Sequence, residues 1–153
     1  KDYNSIEGYL KTSVAAGKIS EEYAGLINLK RFEEFLQTDL GKRMGSAYKK
    51  GLLFREQPFI MELGADMIDK EYPSDEKILV QGIVDAFFFE DDKVYIVDYK
   101  TDRVEQGKAG EKALVERYHK QLELYADTIS RVTGKETGGC YIYSTCLKKE
   151  ILI

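Results

Sequence analysis

The chain has 153 residues, enough for one domain of ordinary size with a real hydrophobic core. It is 43% hydrophobic and 33% charged, the balance of a soluble globular protein; no apolar run is long enough to span a membrane, and the first residues do not form a signal peptide. A net charge of −4 argues against a free-standing, high-affinity nucleic-acid binder, which would be basic on one face, but not against a catalytic module carried to nucleic acid by a larger assembly.

The first fifty residues read as helical. Ile6, Tyr9, Leu10 and Val14 keep helical spacing, and Gly17 can stop that helix. Ser20 followed by two glutamates is a cap and first turn for a second helix through Tyr23, Leu26 and Ile27. Phe32, Phe35, Leu36 and Leu40 form another short stripe, which Gly41 and Gly45 are expected to break. From Leu52 to Leu63 the pattern turns to β, with Pro58 marking an edge position or a bulge. Residues 64–77 read as a loop. Ile78–Phe89 and Lys93–Tyr99 are rich in β-formers and enclose a polar turn. Residues 102–110 read as polar and mobile. Glu111–Thr133 is the strongest helix, with a stripe of Leu114, Tyr118, Leu122, Tyr125, Ile129 and Val132 and with Gly134 as C-cap. Strands at 139–145 and 149–153 complete an α/β core with a mixed sheet. The expected organisation is one domain over 1–153, a helical segment (1–50) preceding the α/β core (51–153). Cys140 and Cys146 are expected to be reduced, partly buried thiols of a cytoplasmic protein.

The hairpin carries the chemistry. A two-residue loop, Asp91-Asp92, or a four-residue loop, Glu90–Lys93, places Phe89 opposite Val94. Asp85 then falls opposite Asp98, and Lys100 points to the same face as Asp98. A loop of three or five residues would break this register. Opposed side chains have Cβ atoms about 4.5–5.5 Å apart, where like charges repel. A divalent cation between the two carboxylates removes that penalty. Asp85 and Asp98 are hard oxygen ligands suited to Mg²⁺ or Mn²⁺, and the Tyr99 carbonyl is a further candidate. Lys100 is placed to act on an attacking water or on developing negative charge in phosphodiester hydrolysis. The plainer alternative is a cross-strand Asp–Lys pair on a solvated sheet face, worth little.

Gly82-Ile-Val-Asp85, Val97-Asp98-Tyr99-Lys100-Thr101 and Tyr118-His-Lys-Gln121-Leu-Glu-Leu-Tyr125-Ala126 together resemble the three-part signature of RecB-family nucleases of the PD-(D/E)XK superfamily. The segment Phe54–Phe59 and the ending from Cys140 resemble the C-terminal nuclease domain of AddA-type helicase–nuclease proteins. The resemblance implies a restriction-endonuclease-like core: a central mixed sheet flanked by helices. It implies metal-binding roles for Asp85 and Asp98 and a catalytic role for Lys100. It also implies roles at the active site or the DNA backbone for Gln121 and Tyr125, which share a helix face. The only histidine, His119, does not match the early-helix histidine that completes the family's metal shell. That ligand is expected upstream of Lys1, so the isolated chain is open to being inactive. Glu56 is a candidate helper of the site or half of a surface ion pair.

The function so implied is a Mg²⁺-dependent exonuclease domain of an ATP-dependent helicase–nuclease. It would cut DNA during double-strand-break processing and recombinational repair, alongside a helicase part of the same polypeptide and an AddB-like second subunit. No Walker-type ATP loop occurs here, so an ATPase would lie elsewhere. The alternative is a nuclease fold that no longer cuts and serves to bind DNA or dock a partner protein.

Overall fold

The computed structural model describes residues 6–67, 70–73 and 75–153. The chain divides into two compact units, 1–45 and 46–153. In the first, α1 (Ile6–Ala15) packs on α2 (Glu21–Leu26) and α3 (Leu29–Gln37). Ser20 caps α2, its hydroxyl accepting the Tyr23 amide hydrogen at 3.2 Å, and Gly17 takes the left-handed conformation (φ 68°) that ends α1. The fourth helix, α4 (Asp39–Lys49), runs through both Gly41 and Gly45, contrary to the expected break. Gly41 is required by contact: a Cβ there would strike the Phe35 carbonyl and come within 3.0 Å of the Leu36 backbone. The burial of Leu40 and Met44 offsets the poor helix propensity of the two glycines.

The second unit holds a five-stranded sheet in sequence order: β1 (Leu53–Gly64), β2 (Lys77–Glu90), β3 (Lys93–Lys100), β4 (Glu136–Ser144) and β5 (Lys149–Leu152). All neighbours are antiparallel except β3 and β4, which are parallel and joined by α5 (Lys108–Thr133). A parallel pair needs such a crossover, and the mixed sheet follows from it. Pro58 lies on an edge strand, as its missing amide hydrogen requires. A one-turn 3₁₀ helix (Ala65–Met67) follows β1 in the expected loop. The expected strand at 139–145 begins earlier, at Glu136. The polar segment after Asp102 is shorter than expected, because α5 already starts at Lys108.

α5 lies across β3 and β4, and Leu114 and Leu122, both fully buried, join Val94, Ile96, Cys140 and Ile142 in the core. Each such leucine contributes about 1.5–3 kcal/mol of apolar burial. Phe59 meets the Tyr125 ring edge-on, bringing β1 against the same helix. Gly82 makes room for that contact, since a Cβ there would lie 2.8 Å from the Phe59 ring. Gly134, in the left-handed conformation, closes the helix as expected. Val132 departs from the expected stripe. It is 78% exposed, because the core-facing turn ends at Ile129.

Candidate active site

The β2–β3 turn is the two-residue loop: Glu90 pairs with Lys93, and Asp91 and Asp92 have φ of 49° and 63°. The ladder then runs regularly to Ala86↔Val97 and stops. Asp85 and Asp98 are the next residues on the two strands, one position beyond the last ladder pair. Here a side chain replaces the backbone partner: the Asp85 carboxylate accepts the Tyr99 amide hydrogen at 2.9 Å. Within a strand, the N–H and C=O of one residue point to the same side, so the Tyr99 carbonyl also faces the β2 edge. The next carbonyl, of Lys100, faces the other way and accepts the Thr145 amide hydrogen at 3.0 Å.

The strands are irregular at this level. Val84 and Phe87 both belong to the core cluster although three residues apart, so the alternation of β2 changes phase around Asp85. On β1, Glu56 lies between the pairs Arg55↔Ala86 and Gln57↔Val84 with φ of 50°. A non-glycine residue held there stores about 1–3 kcal/mol of strain. Glu56 is exposed and, among the described residues, forms no ion pair.

Asp98 is 2% exposed. Its Oδ2 forms a close ion pair with Lys100 Nζ at 2.6 Å. Burial, first of all, pushes the Asp98 carboxyl above its ordinary value. Lys100 works against that shift, and the nearby Asp85 and Asp102 carboxylates add to it.

The ammonium of Lys100 also donates to Gln121 Oε1 at 3.3 Å, and Gln121 Nε2 donates to the Tyr125 hydroxyl at 2.7 Å. Direct contacts thus link four of the candidates from the sequence, Asp98, Lys100, Gln121 and Tyr125, while Asp85 is held nearby by the Tyr99 amide. His119 stands apart, half-exposed beside Glu123 at 3.5 Å. Two residues of the site are not evident from the sequence. The Tyr118 ring centroid is 4.0 Å from Lys100 Nζ, and the Tyr118 hydroxyl donates to the Asp102 carboxylate at 2.9 Å. In the sequence Tyr118 reads as part of the apolar stripe, and Asp102 as part of a mobile segment. The available signals are nearness to the candidates and, for Tyr118, its place at the head of the third motif: Asp102 follows Lys100 by two residues, and Tyr118 precedes Gln121 by three.

Among the described residues, no three His, Cys, Asp or Glu side chains converge as a ready metal cage. Mg²⁺ does not need one, since one or two carboxylates plus waters and substrate oxygens serve it. The buried Asp98 carboxylate, with the Asp85 carboxylate near it and the Tyr99 carbonyl on the β2 side of β3, fits a hard divalent cation.

A mixed sheet that brings two acids and a lysine to the open end of a hairpin is an arrangement of metal-dependent nucleases. The family model of the PD-(D/E)XK nuclease superfamily matches residues 13–150, and the chain belongs to that superfamily. More particularly, it is 39% identical over 140 residues to an ATP-dependent helicase/nuclease subunit of Clostridium perfringens (strain SM101 / Type A), covering 88% of this chain and 11% of that protein. It is 40% identical over 145 residues to the protein of the same name from Thermoanaerobacter sp. (strain X514), covering 91% and 11%. The Listeria monocytogenes serotype 4a (strain HCC23) protein of that name is 34% identical over 142 residues, covering 90% and 11%. The chain therefore spans about a tenth of the length of these relatives. No described helix is long and apolar enough to cross a membrane.

Proposed function

We propose that this chain is the DNA-cutting domain of an ATP-dependent helicase–nuclease of AddA type. In that role it degrades one DNA strand at a broken end ahead of recombinational repair, with a helicase part in the same polypeptide and an AddB-like second subunit. The observation that carries the reading is the pairing of buried Asp98 with Lys100 at the point where Asp85 ends the hairpin ladder. The helicase part follows the names of the relatives, and DNA as the substrate follows the resemblance to RecB-family nucleases.

Asp85, Asp98 and the Tyr99 carbonyl are the proposed ligands of Mg²⁺, with Mn²⁺ as a substitute. The bound ion would activate water, neutralise phosphoryl charge and assist the leaving oxygen. Lys100 orients the attacking water and offsets charge developing on the phosphoryl oxygens. Gln121, backed by Tyr125, holds the ammonium in place. Burial keeps the Asp98–Lys100 pair out of bulk water, which strengthens its field at the reacting group.

The test uses the full-length polypeptide in its complex. Asp98→Ala and Lys100→Ala should each abolish cleavage while ATP-driven unwinding persists. Cleavage retained by either variant would defeat the assignment. Calorimetry with Mn²⁺ separates it from a non-cutting scaffold, which has no need to bind metal at the acid pair.

A further inference from the structure

We propose that Tyr118 is a positioning residue for Lys100: its ring closes one side of the ammonium, and its hydroxyl is tethered to Asp102. This rests on the nuclease reading of the site.

A lysine ammonium is a point charge with three donors on a flexible four-carbon stem, so its place is set by what surrounds it. Asp98 Oδ2 lies 2.6 Å from Nζ, and Gln121 Oε1 lies 3.3 Å away. The Tyr118 ring is the further partner, its centroid 4.0 Å from Nζ, well inside the roughly 6 Å reach of a cation–π contact. The Lys100 side chain is only 15% exposed, so water screens this contact weakly.

The ring is itself held. The Tyr118 hydroxyl lies 2.9 Å from both Asp102 oxygens and shares its single hydrogen between them, while Arg117 Nη1 donates to Oδ1 at 2.5 Å. The Tyr118 hydroxyl, first, and Arg117 with it hold the Asp102 carboxyl below its ordinary value. A phenol that donates to a carboxylate has a more electron-rich ring, which strengthens its attraction for a cation. Arg117 is 5.9 Å from the same ring and mostly exposed, so Lys100 is the nearer cation. Tyr118 and Gln121 are three residues apart on α5, so one helix face delivers both to the lysine.

A tyrosine serving only as packing would be replaceable by any side chain of similar bulk, and Tyr118 does pack on the core cluster. The two roles separate in steady-state cleavage by the full-length polypeptide in its complex, with unwinding measured in parallel. Tyr118→Leu should lower kcat about tenfold, the scale of an enclosed cation–π contact, with KM for DNA and the half-saturating Mg²⁺ concentration unchanged. Tyr118→Phe keeps the ring and should restore kcat to within about threefold of wild type. Asp102→Asn leaves the ring and the apolar contacts in place and should lower kcat about threefold through the weakened tether. The proposal is overturned if Tyr118→Leu cleaves like wild type, or if Tyr118→Phe falls as far as leucine. It is equally overturned if the half-saturating Mg²⁺ concentration moves with kcat. Should Tyr118→Leu also lose unwinding, the Phe and Asn variants decide: full loss in the first or no change in the second sinks the idea. If Lys100→Ala itself still cleaves, the nuclease reading has failed; if only the Tyr118 variants are silent, this inference alone has failed.

Discussion

The two ends of the β2–β3 hairpin are built on opposite principles. At the turn end, pairing is regular from Glu90↔Lys93 to Ala86↔Val97, and Phe88, Val94 and Ile96 are fully buried. Backbone groups there satisfy one another, and the buried side chains supply apolar packing. At the other end the ladder stops, a carboxylate takes over as backbone acceptor, β2 changes phase, and a charged pair sits where apolar residues would be more stable. Stability and chemistry are thus segregated along one hairpin, a few residues apart.

Substitutions at each end should therefore fail differently. The largest contrast is between Asp98→Asn and Ile96→Ala. The first should reduce cleavage by the full-length protein at least about a thousandfold, as expected for losing a metal-ion ligand. The second should cost about 2–5 kcal/mol of stability through cavity formation, read as a lower denaturant midpoint. Loss of cleavage by a fully folded Ile96→Ala protein would blur the division.

Next in size is a stability effect with a definite sign. Because burial raises the folded-state value of Asp98, the native state holds this proton to higher pH than the unfolded chain does. Stability from this group therefore falls as pH rises from the ordinary carboxylate value through the raised one, and the loss is complete above it. In the absence of divalent ions, Asp98→Asn should melt at a higher temperature than wild type at pH 7. The difference should vanish at pH below the ordinary carboxylate value. A variant that melts lower at pH 7 would show that the pairing with Lys100 outweighs the cost of burial. Adding Mg²⁺ should raise the wild-type melting temperature and leave that of Asp98→Asn unmoved.

Smaller still is the turn. Asp92 has φ of 63°, a conformation glycine adopts freely, and it forms an exposed ion pair with Lys135. Asp92→Gly should change stability by less than about 1 kcal/mol, relief at the turn being set against a weak surface pair. Cleavage should not change; an effect on it would show that the turn end communicates with the site. The least effect is expected from the thiols. Burial pushes Cys140 to about 11, so a maleimide should label the partly exposed Cys146 first and leave cleavage intact.

The hairpin was legible because two runs of β-formers enclose a short polar turn, and the expected pairing of Phe89 with Val94 is the one the structure forms. Gln121 and Tyr125 were legible through helical spacing and family resemblance. What stayed hidden depended on contacts between distant segments. The two glycines of α4 read as breakers, since local propensity does not show that Leu40 and Met44 on that helix become buried. Val132 kept the period of the stripe but lies past the last turn that meets the sheet. Asp102 looked like loop, because only its partners Arg117 and Tyr118, a helix away, give it a fixed place. The phase change at Asp85 has no signature in the residue pattern, which reads as continuous strand on both sides.

The single parallel joint of the sheet has a kinetic consequence. Asp85, Asp98 and Lys100 are neighbours as soon as a short reversal forms, on the microsecond scale of hairpins. Gln121 and Tyr118 arrive only after α5 has crossed over and β4 has docked beside β3, a slower event of longer range. During refolding, the carboxylates should therefore assemble early and the ordered amine late. Catalytic competence is expected to return with the last phase, together with amide protection in α5, and cutting that recovered ahead of the helix would contradict this order.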